Sequence, residues 1–415
     1  MDKKNILIIL PWLPYPFSSG GNQAMYNGIA AIRNKANVTV VYIDYNRDQH
    51  IVDRNKMTKL LDNVEIIPFI YSNRNTKWKF INWLFDKFGN SFCGKNGDFL
   101  TDRMYLSYKP LPSEYIDFIG DIVTRKGIEI VQMEMIATLP LVLSLPETVK
   151  KVFVHHEIRY VFNELYLKNI GETIYRQANL AIAKIMEVGL LKKCDAIIAL
   201  SQTDKEKLMA EGIRENKIFP SIAVVNSIAE GKVHTISHNI LSFVGAETHI
   251  PNQVGIKWFL ENCWGKLQNE TEPYQLRIIG KWSKATIKQL TEKYKNIYFP
   301  GYIENLSDIL SNTIMIVPIT IGSGIRMKIL EAASIGIPFV STTIGAEGLP
   351  FINEENCFLA DTPEAFVEGI LKLKNANLRR KFAESSMVII KDSYSIEALG
   401  ANRMSIYSVV SSGSE

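Results

Sequence analysis

The sequence predicts an α/β protein built from two Rossmann-like domains, each with a doubly wound parallel sheet. Three observations support this fold class. The 415 residues exceed what one hydrophobic core usually serves. Continuous apolar runs of strand length alternate with helical stretches, which is typical of parallel sheets covered on both faces. The alternation restarts after a polar stretch at 224–239, which is predicted to link the two domains.

The first half of the chain carries six apolar runs of strand length. These runs are 5–10, 37–43, 64–70, 128–134, 150–156 and 195–201. Helical stretches are predicted near 22–36, 48–61 and 165–193. Ligands of such sheets bind beyond the carboxyl ends of the strands. The predicted first domain, residues 1–228, is expected to place its functional groups there.

The second half repeats the pattern. Strands are predicted at 240–245, 275–280, 296–301, 313–319 and 338–342, with helices over 253–268 and 324–334. The predicted second domain spans 240–390. Two such domains facing a cleft are expected to close over a substrate.

Composition excludes several classes of protein. A net charge of +4 is too small for a dedicated nucleic-acid binder. The four cysteines are far apart and form no CxxC pair, so structural zinc is not expected and a reduced, cytoplasmic setting is. Three prolines between positions 11 and 16 interrupt the apolar start of the chain, which favours a buried strand over a signal peptide.

The segment 74–88, RNTKWKFINWLFDKF, interrupts the alternation. Helical spacing gives it an aromatic face and a basic flank, which suits a helix at a membrane surface. An amphipathic helix packed on its own domain has the same pattern. Both interpretations stay open, and the first predicts peripheral contact with the inner face of a membrane.

A glycine-rich turn, Gly322-Ser323-Gly324, follows the predicted strand 313–319 and opens a predicted helix from Gly324 to Ser334. Amides at a helix N-terminus bind phosphate, and glycines let the backbone approach it closely. Arg326 and Lys328 are expected in the first turn, where both can add positive charge to the same anion.

Glu331 follows Lys328 by three residues, so both side chains are predicted on one side of the helix. A carboxylate there can accept hydrogen bonds from the two hydroxyls of a ribose. The pattern therefore predicts a nucleoside diphosphate site. The plain alternative is an amphipathic helix with a Lys–Glu surface pair.

At this point the second half resembles a known family. The stretches "FVGAETHIPN", "RIIGKW", "IYFPGYIENLSDIL" and "GIRMKILEAASIGIPFVSTTIGAEGL" look like the carboxy-terminal domain of retaining glycosyltransferases of the GT-B fold, family 4 (glycosyl transferases group 1). The first half is similar more loosely, through "PYPFSSGG", "HHE" and "CDAIIALSQTDKEKL". The resemblance extends from about residue 5 to 390.

The resemblance implies a nucleoside-diphosphate sugar held by the second domain and an acceptor held by the first. It also implies that no metal or other cofactor is needed, and no DxD pair for a divalent cation occurs in the chain. In relatives, a last helix like the stretch 393–415 crosses back to the first domain.

The family's motifs can be carried over by position. Glu331 matches the second glutamate of the family's E-x7-E motif, while the first position holds Ser323. Contacts with the donor sugar are then expected from the backbone of Gly322, Ser323, Gly324 and Ile325. Many relatives carry an Arg and a Lys that neutralise the diphosphate, and at that place this chain has Gly245-Ala246-Glu247-Thr248-His249. Neutralising the diphosphate is therefore assigned to Arg326 and Lys328. Gly345, Ala346 and Glu347 correspond to a second loop near the donor.

In the first domain, Gly20 and Gly21 are expected to precede a helix and to approach the reacting phosphate or the acceptor. His155 and His156 end a predicted strand, and neighbouring strand residues face opposite sides. His156-Glu157 resembles the family's His-Asp position near the transferred sugar. His156 is therefore the predicted site residue, with His155 as the alternative.

The predicted function is a retaining, metal-independent glycosyltransferase. Its expected acceptor is a hydroxyl of a glycan or lipid-linked molecule, in cell-surface polysaccharide synthesis. In the family, retention is ascribed to same-face attack in which the leaving phosphate takes the acceptor's proton. Two alternatives remain: a sugar-nucleotide epimerase of the same fold, and a non-catalytic partner subunit.

Overall fold

A computed structural model describes residues 3–44, 47–70, 108, 111–225 and 237–413. The chain forms two compact units. The first unit contains Met1–Tyr15, Ile32–Ser221 and Asn402–Glu415, and the second contains Pro16–Ala31 and Ile222–Ala401. The segment 74–88, on which the membrane prediction depends, lies outside the described residues.

The first unit contains a seven-stranded parallel sheet. Its strands are β1 (Asn5–Leu10), β2 (Asn37–Asp44), β3 (Val64–Ile70), β4 (Ile130–Glu134), β5 (Lys150–His155), β6 (Ala196–Ala199) and β7 (Ile218–Pro220). Their order is β3-β2-β1-β4-β5-β6-β7, and every neighbouring pair is parallel. Strands β1, β4 and β5 are almost fully buried because helices cover both faces, which explains their unbroken apolar sequences.

The helices of the first half of the chain follow the strands. They are α1 (Gly20–Ile32), α2 (Arg47–Leu60), α3 (Ser113–Arg125), α4 (Arg159–Ile170), α5 (Ile174–Leu191) and α6 (Gln202–Ala210), with a 3-10 helix at Ile136–Leu143. The prediction of one helix over 165–193 was wrong. Gly171 has φ of 93°, which no helix allows, and Thr173 caps the helix that follows.

The second unit contains a six-stranded parallel sheet in the order β10-β9-β8-β11-β12-β13. The strands are β8 (Ile240–Val244), β9 (Gln275–Ile279), β10 (Ile297–Gly301), β11 (Ile314–Val317), β12 (Phe339–Ser341) and β13 (Phe358–Leu359). The two parallel α/β sheets confirm the predicted fold class. In both units the first strand of the sheet is the third from one edge, with later strands added on both sides of it, which gives the doubly wound arrangement.

The helices of the second half complete the two units. They are α7 (Ile250–Asn262), α8 (Trp264–Gln268), α9 (Lys284–Lys293), α10 (Leu306–Leu310), α11 (Met327–Ser334), α12 (Pro363–Lys372), α13 (Ala376–Ser393) and α14 (Ile396–Ser412). The prediction of one helix over 253–268 was wrong, because the helix is interrupted at Cys263, which separates α7 from α8. No helix in the described ranges is both long and apolar enough to cross a membrane.

The two units differ from the predicted domain limits in three stretches. The segment from Ile222 to 228 groups with the second unit, although the predicted first domain ended at 228. Pro16–Ala31, which includes most of α1, groups with the second unit although it lies in the predicted first domain. Asn402–Glu415 groups with the first unit, whereas the predicted crossing segment began at 393. The grouping of Pro16–Ala31 places the start of α1 in the same unit as the predicted phosphate-binding turn.

Candidate functional site

The glycine-rich turn connects β11 to α11 in the second unit. Gly322 and Gly324 have φ of 132° and 77°, a region that residues with a side chain rarely adopt. The predicted helix start near Gly324 was wrong, because a positive φ at that residue excludes a right-handed helix. The helix begins at Met327, so the turn is longer than the sequence indicated.

Arg326 lies at the end of this turn, and its side chain forms hydrogen bonds with the backbone of the turn. Its side chain is buried, and Nη1 donates hydrogen bonds to the carbonyl oxygens of Ser323 at 2.5 Å and Gly324 at 2.9 Å. A Cβ atom on Gly322 would lie 2.5 Å from Arg326 Nη2. The prediction that Arg326 occupies the first helical turn was therefore wrong. The Arg326 guanidinium fixes the shape of the turn, and its positive charge lies next to the turn.

Lys328 does occupy the first turn of α11, as predicted. Its Nζ donates to Asn252 Oδ1 at 2.9 Å and lies 4.2 Å from the centroid of the Phe243 ring. Burial, with the Arg326 charge as the second cause, lowers the pKa of Lys328 to about 7. An arriving anion would favour the protonated amine, so this side chain can respond to a diphosphate by taking up a proton.

Asn252, in the first turn of α7, holds the Lys328 amine and the end of β8 together. Its Nδ2 donates to the carbonyl oxygen of Ala246 at 2.9 Å. A Cβ atom on Gly245 would lie 2.5 Å from the Asn252 amide, so glycine is needed for this close approach. The Gly245 amide itself donates to Ile279 O, and its carbonyl accepts from Trp282 Nε1 at 2.9 Å.

Glu331 also has a partner of its own. Its Oε1 accepts a hydrogen bond from Gln23 Nε2 at 2.7 Å, and burial raises the pKa of Glu331. None of the described residues donates a hydrogen bond to Oε2, so this oxygen can accept one from a ligand. Lys328 and Glu331 form no direct ion pair, which is a different arrangement from the simple Lys–Glu surface pair considered above.

Gly20 and Gly21 are the first two residues of α1, so the prediction that they precede the helix was wrong. A Cβ atom on Gly20 would lie 2.9 Å from Met327 Cγ. The first turn of α1 therefore lies against the first turn of α11, and the Gln23–Glu331 hydrogen bond fixes the same contact. In consequence, Gly20 is near the candidate site.

The second loop, Gly345–Glu347, uses its backbone amides internally. The Gly345 amide donates to Thr342 Oγ1 at 2.9 Å, the Ala346 amide to Thr342 O at 3.1 Å and the Glu347 amide to Ile344 O at 3.3 Å. A Cβ atom on Gly345 would lie 2.4 Å from Ser341 Oγ. This loop therefore keeps a fixed shape at the end of β12, and its amides are occupied.

Glu247, in the loop after β8, is also occupied. Its carboxylate accepts hydrogen bonds from Thr286 Oγ1 and the Ser283 amide, both at 2.5 Å, which caps the start of α9. The Thr286 hydroxyl is the largest cause lowering the pKa of Glu247. The structure thus gives Glu247 a capping role, and Asn252 a few residues later reaches Lys328.

The two predicted histidines have different surroundings in the first unit. His155 is 1% exposed, and its Nε2 lies 3.1 Å from Oε1 of the buried Glu187. His156, at the other face of the strand end, pairs through Nε2 with Glu134 Oε2. His156 is partly exposed, whereas His155 is buried.

Four residues of the candidate sites were not predicted: Gln23, Asn252, Gln132 and Glu134. Gln132 and Glu134 had a readable signal, since two polar residues two positions apart share one face of an apolar strand. Gln23 and Asn252 are ordinary polar residues in first helical turns, and only their partners show their roles. Within the described part of the chain, no cluster of three His, Cys, Asp or Glu side chains could hold a metal ion.

The low pKa of Lys328 predicts a pH-dependent stability. The folded pKa of about 7 lies below the unfolded value of about 10.4, so between these values the unfolded chain binds more protons and stability rises with pH. Relative to Lys328→Met, wild-type unfolding free energy should increase by about 1 kcal/mol per pH unit from about pH 7 to about pH 9. Urea unfolding of both proteins at several pH values measures this difference. A difference that does not vary with pH would contradict it.

Comparison with known proteins extends these observations. Residues 238–375 match the family model described as glycosyl transferases group 1. An uncharacterized 44.6 kDa protein in the cps region of Klebsiella pneumoniae is 28% identical over 184 residues, which are 42% of this chain and 47% of that protein. The chain thus spans about half the length of this curated relative.

Solved structures with a similar fold match nearly the full length of the chain. A TarM variant from S. aureus, in complex with fondaparinux, alpha-GlcNAc-glycerol and UDP, has a TM-score of 0.68 at 12% identity, with 98% of this chain and 100% of that chain covered. Sucrose-phosphate synthase from Thermosynechococcus elongatus has a TM-score of 0.69 at 14% identity, with 99% and 100% covered. These likenesses show the fold, two Rossmann-like domains with parallel sheets, and the similarity to glycosyl transferases group 1 lies in residues 238–375.

Proposed function

We propose that this chain is a retaining, metal-independent glycosyltransferase that moves a sugar from a nucleoside-diphosphate sugar to a hydroxyl of a glycan or lipid-linked acceptor. One observation carries the proposal. Lys328 and Glu331 lie on one helix beside the Gly322–Gly324 turn, each with its own polar partner instead of with each other. Both lie within the residues that match the family model.

The donor's diphosphate would bind at the first turn of α11. Lys328 supplies the positive charge, and Asn252 fixes the position of its amine. Arg326 fixes the shape of the glycine turn and adds a second positive charge nearby. Helix N-terminal amides and cations together favour a dianion at this place.

The donor's ribose would bind one turn further along α11. Gln23 occupies Oε1 of Glu331, which leaves Oε2 to accept hydrogen bonds from the ribose hydroxyls. The raised pKa of Glu331 reflects the cost of burying its charge, and hydroxyl donors would offset that cost. The site therefore distinguishes a nucleotide from a simple phosphate.

The transfer step would proceed on one face of the sugar. The acceptor oxygen forms a bond to the anomeric carbon while the bond from that carbon to the diphosphate breaks, and the leaving phosphate takes the acceptor's proton. The protonated Lys328 stabilises the charge that develops on the diphosphate. His156 is the residue of the first unit that we propose to bind a substrate hydroxyl.

A cell-surface polysaccharide is the proposed product class. The Klebsiella relative is encoded in a cps region, which supports a role in glycan assembly. UDP is the first nucleotide to test because the TarM structure contains it.

Thermal unfolding with UDP, GDP and ADP tests the proposal. At a concentration near 100 times its dissociation constant, the preferred nucleotide should stabilise the protein by about 2.7 kcal/mol. The corresponding nucleotide sugar should then release its nucleotide faster when an acceptor glycan is added. Nucleotides that neither stabilise the protein nor bind in calorimetry would overturn the proposal. Conversion of the nucleotide sugar to its epimer without an acceptor would favour the epimerase instead.

A further inference from the structure

A row of polar side chains is buried in the first unit beside His156. Gln132 and Glu134 project from one face of β4, whose other residues are apolar. Both are at most 2% exposed, and Tyr407 of α14 is fully buried. Polar side chains at such depth are costly unless each one has a hydrogen-bond partner.

The hydrogen bonds of this row have a defined direction. Tyr407 Oη donates to Gln132 Oε1 at 2.5 Å, and Gln132 Nε2 donates to Glu134 Oε1 at 2.6 Å. The second oxygen of the carboxylate, Oε2, pairs with His156 Nε2. An ionised carboxylate only accepts hydrogen bonds, so with Glu134 ionised the proton of this last bond is on His156 Nε2. In the neutral imidazole, Nδ1 then carries the lone pair.

Arg403 adds a positive charge behind the row. It lies one helical turn before Tyr407 on α14, and the residue is 4% exposed. The Glu134 carboxylate and Arg403 interact electrostatically, while burial is the main cause that lowers the pKa of Arg403. The positive charge of Arg403 therefore lies close enough to the Glu134 carboxylate to attract it.

We propose that Glu134 is a positioning residue for sugar transfer, which fixes the Nε2-protonated form of His156 and leaves Nδ1 for a substrate hydroxyl. Gln132 and Tyr407 hold Glu134 in turn. The reaction itself rests on the proposed function. The hydrogen-bonded row is an observation that does not depend on it.

The neighbouring pair provides a matched control. Glu187 also faces a histidine, His155, but its carboxylate accepts hydrogen bonds from Tyr108 Oη at 2.8 Å and from the amides of Arg159 and Tyr160 at 3.0 Å each. These bonds cap the start of α4. Glu187 is therefore expected to act in folding and not in transfer.

The test combines nitrogen NMR with kinetics, using UDP-glucose as the donor probe. Wild-type His156 should show the Nε2-protonated tautomer, and Glu134→Gln should show a mixture of tautomers. The same substitution should lower kcat by about 10- to 100-fold, with KM for the donor changed less than about twofold. Glu134→Asp, which restores the charge, should recover part of kcat and the tautomer. Glu187→Gln should lower Tm and keep the His156 tautomer and kcat.

The outcomes separate the two proposals. A wild-type protein that neither binds UDP nor turns over any nucleotide sugar would overturn the proposed function, and the positioning role with it. Normal wild-type turnover, with an unchanged tautomer and kcat in Glu134→Gln, would overturn the positioning role alone. An equal loss of kcat in Glu187→Gln and Glu134→Gln would also overturn it, because both would then act through folding.

Discussion

Lys328→Ala is expected to slow sugar transfer by roughly 100- to 1000-fold, the usual cost of removing one group that stabilises developing charge. The Lys328 amine is the one cation in the first turn of α11, and Asn252 Oδ1 fixes its position. Its effect should be larger in the transition state than in the bound donor, because charge grows on the leaving diphosphate. Initial rates of nucleotide release at saturating donor measure the change.

Two variants make this result specific. Lys288→Ala removes an exposed lysine from α9 in the same unit and should leave the rate unchanged. Asn252→Ala keeps the Lys328 charge but removes its hydrogen-bond partner, so it should slow transfer less than Lys328→Ala does. Equal rates in Lys328→Ala and wild type would remove Lys328 from the reaction.

Glu331→Ala is expected to weaken nucleotide binding by about 100-fold, because hydrogen bonds to a charged group contribute about 1.5–3 kcal/mol. The loss should appear in the dissociation constant of the free nucleotide, since the ribose is bound equally in the ground and transition states. Isothermal calorimetry with the nucleotide selected by thermal unfolding measures it.

Gln23→Ala and Glu355→Ala complete this series. Gln23→Ala keeps the carboxylate but removes the donor that holds its Oε1, so binding should weaken by about tenfold or less. Glu355 is exposed in the same unit, and its replacement should have no effect. Unchanged affinity in Glu331→Ala would remove the ribose assignment, whatever the kinetics show.

Much of the fold could be predicted because parallel strands leave a strong local signal. A strand buried on both faces needs an unbroken apolar run, as in NILIIL at β1 and IMIV at β11, and four to six residues suffice to show it. Very short strands leave no such pattern. Accordingly, β7 and β13, with three and two residues, were not predicted.

Helix limits were less predictable, since the backbone conformation of one residue can end a helix although the sequence pattern on both sides is helical. Gly171 and Cys263 interrupt stretches whose composition stays helical on both sides. At α11 the positive φ of Gly324 moves the helix start to Met327. That shift changes Arg326 from a first-turn cation into the side chain that holds the turn.

The sequence by itself determined the two parallel α/β sheets, the glycine turn and the Lys328–Glu331 spacing, because each depends on residues close together in the chain. Only the tertiary structure determined which distant side chains form hydrogen bonds with each other. Gln23 and Glu331 are 308 positions apart, and Gln132 and Tyr407 are 275 apart. Packing of distant elements sets such contacts. Periodicity and local propensity carry no information about which buried donor will meet which acceptor.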